Sequence, residues 1–167
     1  MHAFNYHRPS NVNDAAALAA KSADAKLLAG GQSLVQAMKL RLAAPSDIVD
    51  LGMVKDLAGI KVDAKSVTVG AMTRHAEVAG SVEVKKAIPA LAALAGMIGD
   101  RQVRNMGTLG GSLANSDPAA DYPAAVLGLG ATITTTKGTH AADKFFKGLY
   151  ETALKPGEII TSVSFPI

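Results

Sequence analysis

Apolar positions recur along this chain in two rhythms. In the first third, short apolar runs alternate with segments whose apolar residues return every three or four positions, the spacing that lines one face of a helix. Phe4-Asn5-Tyr6 reads as a strand stopped by Pro9, and Ser10 is placed to cap an alanine-rich helix through about Lys21. Lys26-Leu27-Leu28-Ala29 is a short buried strand that runs straight into Gly30-Gly31. Ser33 then caps a helix carrying Leu34, Met38 and Leu42, Pro45 ends it, and Asp47-Ile48-Val49-Asp50-Leu51 is the next strand. The pattern predicts a β-α-β-α-β lobe over residues 1–57, with crossovers that favour parallel pairing.

From Gly59 the rhythm changes. Ile60-Lys61-Val62 and Ser66-Val67-Thr68-Val69 flank Asp63-Ala64-Lys65 and alternate with period two, which predicts a hairpin. Thr73 is placed to cap a helix through Ala79, and Pro89 suits the first turn of a helix through Ile98. A polar stretch from Gly99 to Gly107 follows. Ala119 to Leu129 is a further helix, interrupted early by Pro123. Ala131 to Thr136 reads as a strand, Phe145-Phe146 as a helical turn, and Ile159 to Phe165 as the last strand. Residues 58–167 therefore form a second, larger lobe of mixed or antiparallel sheet, and the whole is an α+β protein.

Composition narrows the chemistry. Of 167 residues 49% are hydrophobic and 19% charged, enough apolar matter for a core and too little charge for disorder. The net charge of +3 comes without any block of five like charges, so no polybasic arm for nucleic acid is present. No apolar run reaches the 18 residues of a membrane span, and the N-terminus has no apolar signal core, which points to a cytoplasmic protein. There is no cysteine, so disulfides, thiolate nucleophiles, cysteine-bound zinc and a cysteine-ligated iron–sulfur cluster are excluded from these residues. His2, His7, His75 and His140 are scattered, none paired at i, i+4, and no metal-ligand set is assigned. Redox chemistry here would need an organic cofactor.

Two glycine segments could hold one. In Leu28-Ala29-Gly30-Gly31-Gln32-Ser33-Leu34 a strand feeds a glycine pair that opens a helix. Glycine lets backbone approach a ligand closely, and successive amides at a helix start make an anion site. The segment matches neither G-x-G-x-x-G nor G-x-x-x-x-G-K-[ST], and a tight strand-to-helix connection explains it equally well. The second is Gly107-Thr108-Leu109-Gly110-Gly111-Ser112, followed by Asp117-Pro118-Ala119-Ala120-Asp121. The two glycine pairs could face each other across a cleft and hold a diphosphate from both sides. Asp121 could accept hydrogen bonds from ligand hydroxyls, or serve only as a first-turn acid of a helix.

At these residues the chain resembles the FAD-binding medium subunit of the molybdenum hydroxylases, the family of aerobic carbon monoxide dehydrogenase and xanthine dehydrogenase. The resemblance rests on Ala29-Gly30-Gly31-Gln32-Ser33 with Met38-Lys39-Leu40-Arg41-Leu42, and on the run from Ile98 to Ser112. Asp117 to Asp121 and Leu154-Lys155-Pro156-Gly157-Glu158-Ile159-Ile160 follow in order. It implies a two-lobed FAD-binding fold of the vanillyl-alcohol-oxidase (PCMH) type. By position, Leu28, Ala29, Gly30, Gly31, Gln32, Ser33 and Leu34 would wrap the pyrophosphate. Thr108, Gly110, Gly111 and Ser112 would clamp it from the second lobe, Asp121 would bind FAD hydroxyls, Ile160 would add a contact, and Ile98 would pack near the flavin. The resemblance further implies an iron–sulfur small subunit and a molybdopterin large subunit as partners. Electrons would pass from the iron–sulfur clusters through FAD to an external acceptor. Relatives usually continue beyond Phe165-Pro166-Ile167 into a further domain, so weak FAD retention is expected of these residues alone.

Other residues carry structural readings. Arg101, Arg104 and Asn105 could shape the flavin edge or meet a partner, or form a structural ion pair or exposed loop. His75 reads as a packing or helix-surface residue, Met97 and Met106 as core filler, and Phe145, Phe146 and Tyr150 as core. No general acid, base or nucleophile is assigned. The alternatives are a stand-alone reductase on the same scaffold, resembling the peptidoglycan-precursor reductases, and an assembly module that has lost flavin.

Overall fold

The computed structural model describes residues 1–167. The chain opens with β1 (Asn5–His7), α1 (Val12–Ala20), β2 (Lys26–Leu28), α2 (Leu34–Lys39) and β3 (Asp47–Asp50). These strands form a parallel sheet in the order β1-β3-β2, as the short crossovers require. The cap of α1 is Asn11, whose side chain accepts from the Asp14 amide at 2.9 Å, and not Ser10. Ala15 and Ala19 of α1 are buried against Val49, Leu51, Val54 and Leu57, the core of this smaller lobe. Helix α2 is shorter than its apolar spacing predicts. Ser33 has helical backbone angles and makes no side-chain cap, while Leu42 lies beyond the helix and is 79% exposed.

The larger lobe begins with the hairpin β4 (Ile60–Val62) and β5 (Ser66–Gly70). Asp63 shapes its turn by accepting from the Lys65 and Ser66 amides at 2.8 and 2.9 Å. Six helices follow: α3 (His75–Gly80), α4 (Val82–Ala87), α5 (Pro89–Met97), α6 (Arg101–Met106), α7 (Leu109–Asn115) and α8 (Asp121–Gly128). Then come β6 (Thr132–Thr135), β7 (Gly138–Ala141), α9 (Ala142–Phe145), β8 (Phe146–Gly148), β9 (Glu151–Thr152) and β10 (Ile160–Pro166). The second sheet is antiparallel, ordered β4-β5-β10-β6-β7, so the last strand fills the centre between two hairpins. Its inward residues Val67, Val69, Ile133, Val163 and Phe165 share one core with Leu91, Leu109, Leu113 and Tyr122 of the helices. The architecture is α+β in two lobes, and no helix is long and apolar enough to cross a membrane.

Arg74, not Thr73, precedes α3, and Thr73 is buried, bonded to the carbonyl and amide of Gly59. Residues 101–106 are helical because the Asp100 side chain caps the Val103 amide at 2.8 Å. Pro123 sits in the first turn of α8, where its missing N–H interrupts nothing. Strands β7, β8 and β9 and helix α4 carry too little apolar periodicity to be read locally. Met97, Met106 and Tyr150 are exposed at 73%, 49% and 63%, so none of them is core.

The loop before β10 joins the lobes. Gly157 has φ +71°, and a Cβ there would lie 2.9 Å from Ala20 Cβ and 3.1 Å from the Ala16 carbonyl of α1. Ile159 enters the smaller core and Ile160 the larger one. Between Gly157 and Ile159, the buried Glu158 carboxylate accepts from Thr135 Oγ1, from the Lys155 amide at 2.9 Å, and meets His140 Nε2 at 3.3 Å. Burial opposes its ionisation, but these hydrogen bonds outweigh burial and hold the carboxyl below its usual range.

Candidate functional site

The two glycine segments meet where the lobes touch. A Cβ built on Gly30 would stand 2.1 Å from the Met106 carbonyl oxygen and 2.7 Å from Gly107 Cα, so backbone lies on backbone and only glycine fits. A Cβ on Gly111 would lie 3.4 Å from Ala29 Cβ, so the second pair faces the first. Gly31 has φ +71°, the left-handed turn that redirects the chain from β2 into α2. The amides of Gly31, Gln32, Ser33 and Leu34 donate to no acceptor in the chain, while the Gln32 side chain folds back to the Gly30 carbonyl at 3.3 Å. Four successive free N–H groups beside a close backbone contact form a donor set for an oxyanion.

The second segment is not a turn. Gly110 and Gly111 belong to the first turn of α7, capped by Thr108 Oγ1, which accepts from the Gly111 amide at 3.2 Å. The Leu109 and Gly110 amides are consumed by the Thr73 and Ala71 carbonyls at 3.1 and 2.8 Å, and the Ser112 amide by the Thr108 carbonyl at 3.0 Å. A Cβ on Gly110 would lie 2.5 Å from Ala71 Cβ, so this glycine serves the packing of α7 on the sheet. This side therefore offers the Ser112 hydroxyl and that of Thr108, itself 4% exposed, rather than a row of free amides.

The remaining candidates are spread out. Leu28 turns its side chain into an apolar recess with Phe4, Tyr6, Val35 and Met38. Ile98 ends α5, packs against the larger core, and its carbonyl accepts from Arg104 Nη1 at 2.9 Å. Arg104 thus ties down a helix end, and Asn105 bonds the Arg101 carbonyl at 2.8 Å. Asp121 is exposed at the first position of α8, its carboxylate free. Ile160 is 4% exposed within the larger core, and its backbone lies in the β10–β6 ladder opposite Thr135. Met106 and Gly107 form a wall of the cleft, a role the sequence does not assign to either, although Gly107 opens the second glycine segment. The signal for this wall was Asp100 followed by a helical hexapeptide, which delivers Met106 and Gly107 to the cleft.

Beneath Gly107 lies His75, 5% exposed, its ring 5.2 Å from that of the fully buried Tyr122. Neither His75 Nδ1 nor the Tyr122 hydroxyl has a hydrogen-bond partner. Burial pulls the imidazole down to about 4, partly offset by the Asp121 carboxylate, and burial pushes the Tyr122 phenol up. The unfolded chain protonates this ring below 6.5, the folded chain only near 4. The stability contributed by the neutral ring is therefore complete above pH 6.5 and lost as pH falls toward 4. Melting curves should show a loss on the order of 2 kcal/mol, roughly 5 °C, across that window. His75→Gln should flatten it.

Residues 2–167 match the family model described as "FAD binding domain in molybdopterin dehydrogenase". The chain belongs to this family. The carbon monoxide dehydrogenase medium chain of Afipia carboxidovorans is 42% identical over 169 residues, covering 98% of this chain and 59% of that protein. The glyceraldehyde dehydrogenase medium chain of Sulfolobus acidocaldarius is 36% identical, covering 98% and 60%. The structure of carbon monoxide dehydrogenase from Hydrogenophaga pseudoflava lacking the Mo-pyranopterin moiety superposes with a TM-score of 0.93 at 40% identity, covering 98% of this chain and 58% of that one. The chain thus spans about three fifths of the length of the relatives it matches. The cofactor of this FAD domain is FAD. The residues present fit it: free amides from Gly31 to Leu34, a Gly30–Gly107 approach that no side chain could share, and hydroxyl donors opposite.

Proposed function

We propose that this FAD domain is the flavin-carrying part of an electron-transfer subunit in a cytoplasmic molybdenum hydroxylase. Its two lobes divide near residue 57. It works with an iron–sulfur small subunit and a molybdopterin large subunit, passing electrons onward to an external acceptor. The observation that carries the reading is the seating of Gly30 on Met106 and Gly107, within a chain that matches medium chains over almost its whole length. The absence of cysteine agrees with this division of labour, since cysteine-ligated clusters must belong to other residues.

When bound, FAD supplies the redox chemistry, and the protein supplies position and electrostatics. The amides of Gly31 to Leu34 would hold the diphosphate from one lobe, with Leu28, Ala29 and Gly30 forming the approach. Thr108 and Ser112 would donate hydroxyls from the other lobe, while Gly110 and Gly111 keep the α7 end close. Asp121 would accept from flavin-nucleotide hydroxyls. Ile98 would bound the ring, and Ile160 would add a contact from β10.

The test is reduction of the FAD-loaded protein followed by its visible absorption. A hydroxylase substrate should leave the lone chain oxidised, and adding the two partner subunits should bleach the flavin band. Bleaching of the lone chain would replace this reading with a stand-alone reductase. A colourless protein that takes up no FAD would replace it with an assembly module.

A further inference from the structure

His75 belongs to no part of the diphosphate clamp, yet the contacts beneath the clamp converge on it. A Cβ on Gly107 would lie 2.5 Å from His75 Nε2 and 2.8 Å from Cδ2, so the imidazole is pressed against the Gly107 backbone. Gly107 is in turn the backbone against which Gly30 rests. On its far side the ring meets Tyr122, which is fully buried and cannot retreat. Gly30, Gly107, His75 and Tyr122 thus form one close-packed column from the first glycine segment into the larger core.

The backbone around the column is zipped as well. The His75 amide donates to the Gly107 carbonyl at 3.0 Å, and Arg74 bridges Thr108. Leu109 and Gly110 donate back to Thr73 and Ala71. The segment that carries Thr108 therefore has little freedom except along the column. Close-packed interiors transmit a change of even one methylene. A side chain that lost its polar partners on burial, as His75 Nδ1 has, is a poor choice for packing alone.

We propose that His75 is a positioning residue for the flavin site: its ring, wedged between Tyr122 and Gly107, sets how closely the Thr108 segment approaches Gly30 and Gly31. His75 acts through Gly107 and touches no ligand in this arrangement. The proposal rests on the reading of the glycine segments as the FAD site.

FAD titrations by flavin fluorescence, with melting temperatures measured alongside, test it on the full chain. His75→Ala removes the wedge and should weaken FAD at least about tenfold at temperatures where the protein stays folded. His75→Gln still reaches the position of Nε2 and should hold affinity within about threefold of wild type. Gly107→Ala puts a methyl into the ring and should weaken FAD about tenfold, and the His75→Ala/Gly107→Ala double variant should recover part of that loss because the methyl gains room. Affinity within about twofold of wild type in His75→Ala would overturn the proposal, as would a double variant no better than Gly107→Ala. If His75→Ala does not fold, Gly107→Ala decides alone, and near-normal affinity there sinks the idea. Gly31→Val is the control. If it loses FAD while His75→Ala keeps it, the site stands and the role of His75 falls; if it keeps FAD, the site reading itself fails.

Discussion

Gly30→Ala is expected to abolish FAD retention and destabilise the protein together. The added methyl would sit 2.1 Å from the Met106 carbonyl oxygen and 2.7 Å from Gly107 Cα, and both are backbone atoms with no rotamer to change. The lobes must part locally to admit it. Overpacking of this kind costs about 3 kcal/mol. The same separation draws the Gly31–Leu34 amides away from the Thr108 and Ser112 hydroxyls, so affinity should fall by at least about a hundredfold. Gly110→Ala makes the contrasting case. Its methyl meets Ala71 Cβ at 2.5 Å and the Ala71 carbonyl at 2.8 Å, inside the larger lobe. It should lower the melting temperature first and affinity only as a consequence. Flavin content measured beside thermal denaturation separates the two, and normal flavin content in Gly30→Ala would remove the diphosphate site from this place.

Glu158→Ala is expected to loosen the join between the lobes. The carboxylate collects Thr135 Oγ1, the Lys155 amide and His140 Nε2 in a buried position. Truncation leaves the Lys155 amide without its acceptor and the Thr135 hydroxyl with only the Gly138 carbonyl at 3.2 Å, and should cost about 2 kcal/mol. The loop it shapes presses Gly157 onto α1 and sends Ile159 and Ile160 into different cores. FAD affinity should therefore drop as well, although Glu158 lies outside the clamp. Glu158→Gln keeps one acceptor for Thr135 and should lose about half as much stability. Chemical denaturation of both variants with and without FAD checks this. Equal stability of wild type and Glu158→Ala would show that the loop is held by packing alone.

Much of the element pattern was legible because it is written within single segments. The parallel lobe follows from strand-sized apolar runs separated by short amphipathic segments, and the β4–β5 hairpin from alternation around Asp63. The pairing of the two glycine segments was legible only as a resemblance and as a possibility of geometry. Residues 101–106 were hidden by the glycines on either side, although Asp100 is a proper cap. Strands β7 to β9 were hidden because their residues are mostly exposed and polar.

By itself the sequence determined the kind and order of most elements, the chemistry excluded by the lack of cysteine, and two of the places where glycine frees the backbone. These depend on side chains a few positions apart, whose spacing the covalent chain sets. Only the tertiary structure decided that Gly110 and Gly111 open a helix, that the Leu109 and Gly110 amides are already taken by Thr73 and Ala71, and that the free donors lie on the first segment. It alone placed Met106 and Gly107 against Gly30, and His75 beneath them. Those contacts join residues far apart in the chain, and their distances come from burying two cores at once, a balance that no local window of sequence contains.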